Sequence, residues 1–124
     1  MATERKTNLI DRLISHQEWL TSKGTSGERA VYFGEDFSKI NLSNWWLEKV
    51  SMKSCNFEGA ILEKVDFTEA ELDHANFEGA NLKHADFDHS FLYSCNFKSA
   101  NLNHANFHWA DLSNANFEGS STYF

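Results

Sequence analysis

Written in fives from Ala30, the chain places a large apolar residue at the third position of every quintet. These are Tyr32, Phe37, Leu42, Leu47, Met52, Phe57, Leu62, Phe67, Leu72, Phe77, Leu82, Phe87, Leu92, Phe97, Leu102, Phe107, Leu112 and Phe117, and the series fails only at Thr122. The first position is usually small, as in Ala60, Ala70, Ala75, Ala80, Ala85, Ser90, Ala100, Ala105, Ala110 and Ala115. Between the two stands Asn or Asp most often, as in Asn76, Asn81 and Asp86. A period of five matches neither a helix, at about 3.6 residues, nor a continuous strand, at about 2. It does match a three-residue strand followed by a two-residue corner. Alternation turns the first and third side chains of such a strand to one side and the second to the other.

A second period sets the number of sides. CNFEG at 55, ANFEG at 75, CNFKS at 95 and ANFEG at 115 recur at twenty, and from Phe57 the third position alternates Phe and Leu. Twenty over five is four. A four-sided coil stacks Phe on Phe along two opposite walls and Leu on Leu along the other two, at about the 4.8 Å spacing of paired strands. The expected core is Phe57, Phe77, Phe97 and Phe117 with Phe67, Phe87 and Phe107, and Leu62, Leu82 and Leu102 with Leu72, Leu92 and Leu112. Asn56, Asn76, Asn96 and Asn116 form an outward ladder. Residues 30–122 supply about four and a half coils, a rod about 22 Å long.

Ahead of the quintets the pattern is helical. Leu9, Ile10, Leu13, Ile14, Gln17 and Leu20 follow i, i+3, i+4, i+7 spacing, which predicts a helix over 8–23 with Asn8 capping its start and Gly24 ending it. The polar stretch TSKGTSGER, 21–29, links it to the repeats. The mean hydropathy of -0.53 and net charge of -7 hint at disorder. Against that, Leu, Ile, Val and Phe make up 29 of 124 residues, enough for a folded chain. Residues 1–13 are charged without a long apolar run, and no stretch approaches the ~20 apolar residues of a membrane span. The expectation is a soluble cytoplasmic protein that binds neither membranes nor nucleic acid directly, its acidity opposing both.

The quintets resemble the A(D/N)LXX units of the pentapeptide-repeat family from Ala30 to Thr122, three quarters of the chain. LIDRLISHQEWLTSKGTSGERA is similar to the helical N-terminal cap and glycine-containing link that precede the repeats in some members. The resemblance implies an all-β solenoid, a right-handed quadrilateral β-helix with an N-terminal α-helical cap. Cap and link would occupy 1–29 and the repeats 30–124. Glu35, Ile40, Trp45 and Val50 stand where a small residue is usual, so the first coil is expected to be distorted to receive the helix. The end after Phe117 lacks a terminal helix, and only the tail 120–124 is available to cover it. Two chains are therefore expected to meet end to end there, through Thr122, Tyr123 and Phe124.

Chemistry-bearing groups are sparse. Cys55 and Cys95 fall two coils apart in one column, about 10 Å, beyond disulfide reach, and read as buried thiols. His84 and His104 are stacked neighbours below which stands Lys64, with no evident third ligand. His16, His74, His89 and His108 read as surface or cap residues. There is no triad in recognisable context, no phosphate loop and no paired acids in a cleft, so neither catalytic residues nor a cofactor nor a metal is expected. Outward aromatics carry more information: Phe91 takes an Asn/Asp position, Tyr93 follows, and His89 and Trp109 lie on the adjoining corner. This cluster is a candidate protein contact, with flat shielding of the corner as the alternative. Trp46 is expected to lie under the link.

Acidity gives the competing reading. Glu58, Glu78 and Glu118 form one column, interrupted by Lys98, and Asp66 and Asp86 another. Residues 30–124 hold fourteen acids and six bases, net -8. That is one charge per about 3 Å of rod, against one per about 1.7 Å of duplex DNA. Some members of the family are dimeric rods that imitate DNA in the saddle of DNA gyrase. The resemblance therefore implies two roles, a non-enzymatic interaction or scaffold module with an unknown protein partner, or a DNA-mimicking regulator of a type II topoisomerase.

Overall fold

The computed structural model describes residues 2–123 and carries the chain from one helix into a stack of short parallel rungs. Helix α1 is Ala2–Thr21. Strands β1, Val31–Phe33, and β2, Ser51–Lys53, pair in parallel with Tyr32 opposite Met52. Single parallel bridges continue the same twenty-residue offset, from Asp36↔Asn56, Asn41↔Ile61 and Trp46↔Asp66 to Asn101↔Ser121. Four bridge positions recur in each twenty residues, so each coil has four sides.

Central quintets with Asn or Asp at the second position dispose of their five backbone amides in the same way. Asn76 N–H donates to Cys55 C=O of the coil before at 3.0 Å, while Phe77 and Gly79 donate to Asn96 and Lys98 of the coil after at 2.7 and 2.9 Å. Ala80 N–H closes the corner on Phe77 C=O at 3.0 Å. The remaining amide, that of Glu78, is taken by Asn76 Oδ1 at 3.1 Å. The same side-chain bond recurs at Asn56, Asp66, Asn81, Asp86, Asn96, Asn101, Asn106, Asp111 and Asn116. Asn and Asp thus stand at the second position to satisfy an amide that no backbone carbonyl of a neighbouring coil takes. The corner residue takes φ near +60° whether it is Gly79, Lys64, His84 or Trp109, as the third residue of a type II turn requires. The Asn ladder forms as well: Asn76 Nδ2 donates to Asn56 Oδ1 at 3.2 Å and Asn96 Nδ2 to Asn76 Oδ1 at 3.1 Å.

Inside, Phe37, Phe57, Phe77, Phe97 and Phe117 stack with centroids 4.9 to 5.3 Å apart and rings within 12° of parallel. Phe67, Phe87 and Phe107 form the opposite stack and meet the first edge-on. Leu62, Leu72, Leu82, Leu92 and Leu102 are buried between them. Phe107, Leu112 and Phe117, expected in the core, are only partly buried, because no coil among the described residues lies over theirs. The tail does not cover that end. Ser121 bridges Asn101 and His104 N–H donates to Tyr123 C=O at 2.7 Å, so residues 120–123 simply continue the coil.

The opposite end is sealed by donors. Carbonyls that a preceding coil would have bonded instead accept from α1: Val31 O from the Arg12 guanidinium, Trp46 O from Gln17 Nε2, and Glu48 O from His16 Nε2 at 2.8 Å. Arg29 Nε of the link donates to Lys49 O at 2.6 Å and pairs with Glu71 one coil further on. Tyr32 is buried with its hydroxyl donating to Leu9 O at 2.6 Å and Arg12 lying 4.1 Å over its ring.

Several expectations change here. The helix starts before Asn8, since Ala, Glu, Arg and Lys in residues 2–6 propagate a helix without needing an apolar face. Its end is a Schellman arrangement in which Lys23 takes φ +57° and Gly24 N–H donates to Trp19 O at 2.9 Å. The buried stripe is Leu9, Leu13 and His16, leaving Ile14 54% exposed. The first coil is not distorted: its bridges and corner φ values match the later ones. Of the larger residues at the small-residue place, Ile40 and Trp45 are partly buried against the core and Val50 is fully buried in it. Trp46 offers its carbonyl to Gln17, but its ring is 55% exposed and not covered by the link.

Candidate interaction surface

Corner geometry decides which aromatics project. Trp109 and His89 are successive corner residues at φ +59° and +55°, and Trp109 is 72% exposed. Its ring lies 6.3 Å from that of His89 and 5.4 Å from that of His108. Asp88 holds His89 Nδ1 at 2.9 Å, with His108 Nδ1 at 3.7 Å. Phe91, half exposed, bridges Asp111, which places it beside the same corner as Trp109. A Phe at the second position cannot accept the amide of Tyr93, and Asp73 Oδ1 from the coil before accepts it at 3.0 Å.

Tyr93 behaves differently. Its ring meets His74 edge-on at 5.5 Å and its hydroxyl accepts from Asn114 Nδ2 at 3.2 Å. Tyr93 is held across three coils by these contacts although it is 41% exposed, whereas Phe91 and Trp109 project at 50% and 72%. Thr122 lines an apolar recess of about 490 Å³ with Ala105, Phe107, Leu112 and Phe117 at the end of the rod. Tyr123 is exposed there, its ring edge-on to His104 at 5.5 Å. Phe124 lies outside the described residues.

The acidic columns are less free than their charges suggest. Asp66 Oδ1 accepts Thr68 N–H at 2.9 Å, and Asp86 Oδ1 accepts Asp88 N–H at 2.9 Å and Asn106 Nδ2 at 3.0 Å. Both are half-buried parts of the corners. Glu58 and Glu118 are exposed, and Glu78 is half-buried with Oε2 near Asn96 Nδ2 at 3.4 Å.

Cys55 and Cys95 are free and buried, and burial pushes their thiols up, to about 11 and about 12. Cys95 Sγ donates to Leu72 O at 3.0 Å. His84 and His104 stack at 4.8 Å, and among the described residues no group of three or more His, Cys, Asp or Glu is gathered as a metal would require. No helix among them is long and apolar enough to cross a membrane. His16, read as a cap or surface residue, proves fully buried. Its place in the 9, 13, 16, 20 arc of the helix was the available signal.

A filled four-sided solenoid with a polar helix over one end defines the class to which the molecule belongs. The model of pentapeptide repeats matches it in eight copies, over residues 36–70, 51–88 and 80–119, and the chain belongs to that family of right-handed β-helices. Among solved structures it resembles a pentapeptide repeat protein of the Arabidopsis thaliana thylakoid lumen, with 28% identity over 74% of this chain and a TM-score of 0.71. The chain spans 64% of that protein's length. It also matches Rfr23, a pentapeptide repeat protein of the cyanobacterium Cyanothece 51142, with 20% identity over 73% of this chain and 85% of that one and a TM-score of 0.47. QnrB1, a plasmid-mediated fluoroquinolone resistance protein, matches with 16% identity over 70% of this chain and 56% of that one and a TM-score of 0.40. No curated protein matches the chain.

Proposed function

We propose that the protein is a non-enzymatic interaction module, a stiff rod that presents the Phe91, His89 and Trp109 corner to a protein partner. The observation that carries this reading is the exposure of Phe91 at a position whose backbone bond had to be rebuilt through Asp73. An interior filled by stacked Phe and Leu leaves the surface as the place for function. Exposed aromatic anchors typically dominate such contacts, at about 2 kcal/mol or more each. Replacing Phe91 and Trp109 with Ala is expected to change unfolding stability by less than about 0.5 kcal/mol per site. The affinity of a partner captured from the native host, identified and remeasured as a purified protein, should fall at least about thirtyfold. Undiminished affinity would remove the patch. The topoisomerase reading rests on charge, and one charge per about 3 Å of rod against one per about 1.7 Å of duplex DNA weakens it.

A second contact is assigned to the end coil, where Thr122, Tyr123 and Phe124 would meet a second copy. It is supported by the only partly buried Phe107, Leu112 and Phe117 and by the amides of Leu112, Asn114, Phe117 and Gly119, for which no acceptor occurs among the described residues. Light scattering at tens of micromolar should give twice the 14.2 kDa chain mass. A monomer at that concentration excludes the contact.

A further inference from the structure

We propose that His16 makes α1 an acid-released latch, which seals the backbone edge of the first coil at neutral pH and uncovers it when the imidazole gains a proton. His16 is fully buried between helix and coil. Its Nδ1 accepts the Ala30 amide at 3.0 Å. The ring proton therefore sits on Nε2, which donates to Glu48 O at 2.8 Å. Trp19 stacks on the ring at 5.4 Å and 29°. One neutral tautomer satisfies both sides at once.

Protonation adds an N–H at Nδ1 that faces the Ala30 N–H, so two donors oppose each other where a bond had been. It also leaves a cation with no carboxylate bonded to either nitrogen. The charged groups on the surrounding elements do not compensate. On α1, Arg12 is engaged with Val31 O and Glu18 with Ser26 Oγ. In the link, Arg29 repels the imidazolium and Glu28 is exposed. On the first coil, Lys49 is exposed and cationic, and the carboxyl of Glu48 is held above the usual range by burial and by its hydrogen bond with Asp66. Glu48 thus turns neutral in acid and offers less to a cation.

The sign follows from burial, which lowers the proton affinity of His16 below its ordinary value of 6.5. Its stabilisation of the cap is present above about pH 6.5 and is lost as pH falls below that. Glu71, held low by Arg29 and Lys53, contributes stability that is present above its ordinary 4.5 and lost only as pH falls below that, so the two windows separate. The released edge is the row of carbonyls at Val31, Trp46 and Glu48 that now accept from Arg12, Gln17 and His16.

Amide hydrogen exchange on the full chain tests the latch, with protection corrected for intrinsic rates between pH 7.5 and 5. In the wild type, protection of the 9–21 amides is expected to fall by up to about tenfold per pH unit below pH 6.5, while that of the 55–100 amides holds. In His16→Gln, whose amide both donates and accepts, 9–21 protection should not vary with pH. Constant wild-type protection, or the same slope in the variant, overturns the proposal. Should the variant fail to fold, imidazole NMR of the wild type decides: His16 must gain its proton together with the loss of α1 protection, and a titration with α1 still protected rejects the latch.

Discussion

Phe77→Asp is expected to leave no cooperatively folded rod. Phe77 is fully buried, with Phe57 stacked at 4.9 Å on one side and Phe97 at 5.2 Å on the other. It also meets Phe67 and Phe87 edge-on at 6.2 and 6.0 Å. Removing a buried Phe side chain costs about 3–5 kcal/mol. A carboxylate in its place adds several kcal/mol more, because nothing on the inner wall can bond it. The sum reaches the whole stability of a typical domain, about 5–15 kcal/mol. Far-ultraviolet circular dichroism and thermal melting should show loss of the β signal and no transition, whereas Phe77→Leu should still melt cooperatively at a lower temperature. A Phe77→Asp protein that melts like the wild type would refute the stacked interior.

Gly27→Ala is expected to detach the helix and leave the rod. Gly27 takes φ +72°, and a methyl group there would run into the carbonyl oxygen of Ser15 and stand 2.7 Å from the amide nitrogen of Trp19. The link packs directly on α1 at this point, and Glu28 N–H donates to Ser15 Oγ at 3.0 Å. Overpacking and left-handed strain each cost about 1–3 kcal/mol. Gly79→Ala is the control: the same φ sign, but open space around the added carbon. Its effect should not exceed about 1–2 kcal/mol, since the corner positions before and after it already hold His74 and His84 in that conformation. Hydrogen exchange distinguishes the two, with loss of α1 protection at every pH in Gly27→Ala and unchanged α1 protection in Gly79→Ala. Retention of the helix in Gly27→Ala would mean that the link can shift.

The repeats were legible because the period is short and repeated many times. Five gave the strand and corner, twenty gave the sides, and the Phe and Leu columns followed. The reason for Asn and Asp at the second position was not legible, since it lies in an amide that becomes orphaned only once the coil closes. The corner conformation was hidden for a related reason. Lys, Ser, His, Trp and Gly all occupy it, and residue type reports φ poorly where inter-coil hydrogen bonds impose it. In the cap, Leu9 and Leu13 of the expected stripe are buried and Ile10 is partly so, while Ile14 is exposed. Polarity favours Ile14 over His16 for burial, but His16 reaches two backbone groups that no aliphatic side chain can satisfy. At the candidate contact, the cluster was visible as out-of-pattern aromatics. The division between projecting Phe91 and Trp109 and pinned Tyr93 depended on His74 and Asn114, each about twenty residues distant in sequence.

Because each bridge joins residues twenty apart, the compass direction of any outer side chain depends only on its place within that count. Loss of two quintets from the middle of the rod would keep Phe over Phe and Leu over Leu yet swing everything downstream by a half turn, carrying Trp109 to the opposite edge. Loss of four quintets would shorten the shaft and restore the original heading. Length and orientation are thus separate variables in this architecture, and a partner that grips two edges at once constrains the second far more tightly than the first.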